Sequence, residues 1–80
     1  MNVGEAVKER ILELCRERDI SINKLCTMSG VTQSTVNNIV SGRNKSVTIS
    51  TIKKLCDGLD ITLGEFFSTS DFDSLEQEIR

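Results

Sequence analysis

An all-α chain, folded as a compact five-helix bundle with a short C-terminal extension, is what these 80 residues predict. Apolar residues recur at spacings of three and four along most of the chain, and no useful length alternates apolar with polar residues as a half-buried strand does. Ser21, Thr32 and Thr62 stand where helix N-caps are needed, ahead of apolar runs. Gly30 and Gly42 stand where helices end in a left-handed residue.

Val3, Val7, Ile11, Leu14 and Cys15 form one stripe of a first helix over roughly residues 3 to 18. Glu5, Glu9 and Glu13 are like-charged at four-residue spacing, so packing rather than intrahelical ion pairing must hold it. Ser21 caps a second helix that buries Ile22, Leu25 and Cys26 and ends at Gly30. Thr32 opens a third only two residues later, running from Gln33 to Ser41 and stopping at Gly42. Two short helices joined by a tight glycine-containing turn are a helix-turn-helix pattern. After the polar loop Arg43 to Ser46, Thr48 or Ser50 caps a fourth helix with Ile49, Ile52, Leu55, Cys56 and Leu59 spaced for burial and Lys53 and Lys54 outward. Thr62 and Glu65 make a capping box for a fifth, which buries Leu63, Phe66 and Phe67. Gly58 and Gly64 lie inside helices, each costing up to about 1 kcal/mol relative to alanine. Asp73 with Glu76, and the apolar Phe72, Leu75 and Ile79, predict a last amphipathic turn or two. The division is residues 1–68 as one domain and 69–80 as an acidic extension, helical and associated with a dimer mate.

At this length a single core is all the chain can build, and its modest size favours support from a second copy. No apolar run approaches the roughly 18 residues of a membrane span and no secretory leader opens the chain, so a cytoplasmic protein is expected. Cys15, Cys26 and Cys56 are odd in number and widely spaced, and histidine is absent. They are therefore expected as small buried apolar residues, with neither a metal nor a cofactor. No Gly-rich phosphate loop and no cysteine beside a base is present, which argues against an enzyme.

The net charge of −2 conceals a partition. Residues 20–56 contain Lys24, Arg43, Lys45, Lys53 and Lys54 and no acid, whereas residues 57–80 carry seven acids against Arg80. On the third helix, at about 100° per residue, Gln33, Asn37, Ser41, Ser34 and Asn38 fall on one side and Val40, Val36 and Ile39 on the other. A plain solvated face would use stronger helix formers than Ser and Asn. Amides, however, can donate and accept together on an adenine edge in the major groove, and hydroxyls can bond several base edges. Phosphate contacts would come from the cations and from the helix N-termini at Ser21 and Thr32.

Ser21 to Gly42, with the following loop and Thr48-Ile49-Ser50-Thr51-Ile52, resembles the Cro/repressor-type (Xre family) helix-turn-helix over roughly residues 5 to 67. The resemblance implies a lambda-repressor-like five-helix bundle that binds operator DNA as a homodimer. By position it implies base contacts from Gln33, Ser34 and Asn38, with Asn37 beside them. It implies phosphate contacts from Thr32 and from Arg43, Asn44, Lys45 and Ser46, to which Thr35 is added. Ile22 stands where relatives often have a phosphate-binding glutamine, leaving that role to Ser21, Asn23 or Lys24. Val47 stands where many have proline.

The expected function is thus a DNA-binding transcriptional regulator, with repression the default. Its homodimer would set two third helices in successive major grooves about 34 Å apart on a pseudo-palindromic operator. The alternative is an antitoxin-like or protein-interaction module on the same fold, holding a second protein through the tail.

Overall fold

In a computed structural model, which describes residues 1–42 and 47–75, the chain forms six helices and no strand among those residues. They are α1 (Val3–Arg18), α2 (Ile22–Ser29), α3 (Gln33–Val40), α4 (Ile49–Leu59), α5 (Leu63–Phe67) and α6 (Ser70–Asp73). The all-α expectation holds, and the five expected helices are present.

The core is built from one stripe of each long helix. Val7, Ile11, Leu14 and Cys15 of α1 meet Leu25 and Cys26 of α2, Val36 and Ile39 of α3, Ile52, Leu55, Cys56 and Leu59 of α4, and Phe66 of α5. Helix α2 packs mainly on α4, and α3 on α1 and α2, so the helix-turn-helix lies against the body through both its members.

Three of the corners between helices share one device. Asp19, Gly30 and Asp60 take left-handed φ angles of 53°, 67° and 57°. The next residue, Ile20, Val31 or Ile61, donates its amide to the carbonyl five residues back, on Cys15, Cys26 or Cys56. Such a six-to-one bond closes the orphan carbonyls of a helix end. One residue further on, Ser21, Thr32 or Thr62 caps the following helix by accepting from the amide three residues ahead. All three cysteines thus occupy the same place, under the apolar residue that leaves each helix. Their burial raises each thiol pKa, which keeps the sulfur protonated and unreactive.

The apolar residues before the N-caps also staple the next helix. Ile20 with Leu25, Val31 with Val36, Val47 with Ile52 and Ile61 with Phe66 are residues before the cap and four into the helix, and all eight belong to the core or pack on it.

The structure decides one open sequence expectation and departs from others. Thr48, not Ser50, caps α4. Ile49, expected to be buried, is 61% exposed, because it is the first residue of α4 and overhangs the core. Arg10 does form an ion pair within α1, with Glu13, and its guanidinium also donates to two α5 carbonyls. Lys53 points outward as expected but is paired with Asp57. The last turn starts at Ser70 rather than beside Asp73, and Phe72 within it packs against the core. Glu76 and Ile79 lie outside the described residues.

Candidate nucleic-acid interface

Helix α3 separates its chemistry by face. Val36 is 0% and Ile39 1% exposed, while Gln33, Ser34, Asn37 and Asn38 are all exposed. The four uncharged polar side chains expected to read bases therefore stand together on the side turned from the core. Ser41, which extends the row, donates its hydroxyl to Asn38 O at 3.2 Å and so serves the end of its own helix.

The start of α3 is organised around Thr32. Its Oγ1 accepts from Thr35 N at 3.3 Å and lies 2.8 Å from Thr35 Oγ1 and 3.3 Å from Ser34 Oγ. Thr35 is half-buried, and its hydroxyl braces the cap. The arrangement leaves the first-turn amides beside a cluster of hydroxyls with no acidic residue near them in the turn. Free amides and hydroxyl donors at a helix N-terminus favour an anion.

Helix α2 starts in the same way. Ser21 Oγ accepts from Lys24 N at 3.0 Å, its first turn has no acid, and Ser21, Asn23 and Lys24 are exposed. Arg43, Asn44, Lys45 and Ser46 lie outside the described residues.

A third such terminus was not singled out in the sequence. Thr48 Oγ1 accepts from Thr51 N at 3.2 Å and bonds Thr51 Oγ1 at 2.9 Å, repeating the Thr32 and Thr35 pairing at the start of α4. The signal was the common Thr-x-x-Thr spacing. The other helices differ: α1, α5 and α6 carry acids in their first turns. Bare N-termini thus belong to the acid-free stretch, and acid-complemented ones to its flanks.

Among the described residues no three His, Cys, Asp or Glu side chains are grouped to hold a metal, and no helix is long and apolar enough to cross a membrane. A family described as the Cro/C1-type HTH DNA-binding domain matches residues 10–71. Among solved structures, that of prophage Lp1 protein 11 is similar at 38% identity, with a TM-score of 0.82, over 94% of this chain and 100% of that one. No curated protein matches.

Proposed function

The chain belongs to the Cro/C1-type helix-turn-helix DNA-binding family, and from that premise we propose that it is a sequence-specific transcriptional repressor acting as a homodimer on a pseudo-palindromic operator. In this reading Gln33, Ser34, Asn37 and Asn38 contact base edges. Ser21, Asn23, Lys24, Thr32 and Thr35 hold phosphates, and Arg43, Asn44, Lys45 and Ser46 hold them from the loop beyond the recognition helix. Residues 1–68 are the DNA-binding domain and 69–80 its extension, and the protein works in the cytoplasm. Repression needs only that the bound dimer block polymerase.

The observation that carries the proposal is the exposed, uncharged amide and hydroxyl row of α3, opposite buried Val36 and Ile39. Weak helix formers at exposed positions lower helix stability, and base recognition gives a reason for them. Phe72, one of the three tail residues behind the protein-interaction alternative with Leu75 and Ile79, is half-buried against Phe66 and Phe67, with ring centroids 6.1 and 4.9 Å apart. That contact favours an intramolecular role for it.

Selection of random duplexes by the purified protein at two salt concentrations tests the reading. Enrichment of an inverted repeat whose half-sites lie about one helical turn apart is the expected result. Binding without any enriched sequence at either salt would remove the base-reading role.

A further inference from the structure

Glycine at position 58, in the last turn of α4, is a poor helix former where alanine would be better. The reason for it lies in the neighbouring helix. A Cβ at 58 would stand 2.3 Å from Ser29 Oγ, 2.9 Å from Ser29 Cα and 3.0 Å from the carbonyl carbon of Met28. Two of these atoms are backbone, so no rotamer change clears the space. At this point the backbone of α2 comes up against α4, with only the short side chain of Ser29 at the contact.

The contact falls at a sensitive place. Ser29 is the last residue of α2, Gly30 is the left-handed residue of the turn, and Thr32 caps α3. Ser29 Oγ is buried with no hydrogen-bond partner among the described residues, so packing against Gly58, and not a hydrogen bond, holds this side chain at the end of α2. A displacement of Met28 and Ser29 passes through three residues of turn to Gln33 and Ser34. We propose that Gly58 is a positioning residue for the recognition helix. Its missing side chain sets how far the turn stands from α4, and through the turn the placement of the α3 polar row against DNA. The inference rests on the reading of α3 as the base-contacting helix. Hydrogen bonds to base edges weaken steeply with misplacement, whereas long cations on phosphates can follow a small shift. A bulkier residue at 58 should therefore degrade selectivity before it degrades DNA binding.

The test uses the full chain and the duplex that the wild-type protein enriches from a random pool. Binding to that duplex and to a scrambled one of equal length is compared for wild type, Gly58→Ala and Gly64→Ala, at a temperature where circular dichroism shows each folded. Gly58→Ala should lower the selected-to-scrambled ratio about tenfold, the worth of roughly one good base contact, with scrambled binding nearly unchanged. Gly64→Ala, whose Cβ would meet its nearest atom at an ordinary 3.7 Å, should leave the ratio alone. If Gly58→Ala does not fold, the double variant Ser29→Ala with Gly58→Ala, which removes the 2.3 Å contact but leaves both backbone contacts, is read in its place. A lowered ratio there supports the role. A wild-type ratio in the folded variant overturns it and leaves the DNA-reading function standing, while a wild-type protein that enriches no sequence overturns both.

Discussion

Arg10 lies on the charged side of α1, yet its side chain is only 13% exposed. Its Nε donates to Phe66 O and its Nη2 to Glu65 O, both at 2.7 Å, while Nη1 pairs with Glu13. The last carbonyls of a helix as short as α5 find few backbone donors, Glu65 O taking only a long 3.4 Å bond from Ser68 N, and the planar guanidinium reaches Glu65 O and Phe66 O at once. Arg10→Ala should therefore cost about 2 to 3 kcal/mol in urea denaturation, in the range of hydrogen bonds from a charged donor. Arg10→Lys should recover only part, since an ammonium does not fork; full recovery by lysine would refute the two-carbonyl account. Nothing in the residue order distinguishes Arg10 from the solvated Arg16 or Arg18, because its partners are carbonyls more than fifty positions away. The α3 row is the opposite case, since both its buried and its exposed sides follow from helical geometry and side-chain chemistry alone. Gln33→Ala should cost roughly 1 to 3 kcal/mol on the enriched duplex and relax selection at one base pair, while Lys45→Ala should weaken all duplexes alike and lower the salt slope by about one. Equal losses on enriched and scrambled DNA for Gln33→Ala would count against base reading.

The starts of α2, α3 and α5 were legible because caps are local: Ser21, Thr32 and Thr62 each act within three positions of themselves. The common pattern of a cysteine, a left-handed residue four positions on, an aliphatic residue and a hydroxyl cap was also present in the letters. Asp at two of the three left-handed positions disguised it, since aspartate is a less obvious helix stop than glycine. Ile49 was misread for a different reason, which also hid the close approach at Gly58. A helical wheel reports direction around the axis, but not whether a neighbour exists at that height or how near its backbone comes. The box at the start of α5 carries a testable pH dependence. Glu65 accepts from Thr62 N at 3.0 Å, and that bond, with one from the Thr62 side chain, lowers its pKa from the ordinary 4.5. The depressed value means that the charged form contributes stability above the unfolded-state pKa, and that this contribution is lost as pH falls through the folded-state pKa. Glu65→Gln keeps a cap acceptor without the charge. Melting temperatures taken from neutral pH down to about pH 3 should fall less steeply for Glu65→Gln than for wild type. Parallel curves would show that the carboxylate contributes nothing to the box.

Over the whole molecule, the partition of charge in sequence becomes a partition among elements. Helices α2 and α3, with their bare N-termini, contain no acid, whereas α6 brings Asp71 and Asp73 onto the body beside α1, with Asp57 and Asp60 at the end of α4. Asp57 already takes up the charge of Lys53, so part of the basic stretch is neutralised by its own helix. Acid on other helices acts on the approach of DNA more than on contacts made by the α3 row after docking, because long-range fields steer encounter and are screened within about 8 to 10 Å at physiological salt. Asp71→Asn with Asp73→Asn lies outside the core, so the fold should be retained. The double variant should associate with duplex DNA about two- to threefold faster at low ionic strength, and the gain should vanish near 0.3 M salt as screening shortens. Dissociation rates and the ratio between enriched and scrambled duplexes should stay as in wild type, because neither aspartate lies in the α3 row. Stopped-flow mixing at two salt concentrations reads both outcomes. A faster association that persists at high salt would mean that the extension hinders DNA by contact or by occupying space, and not through its field.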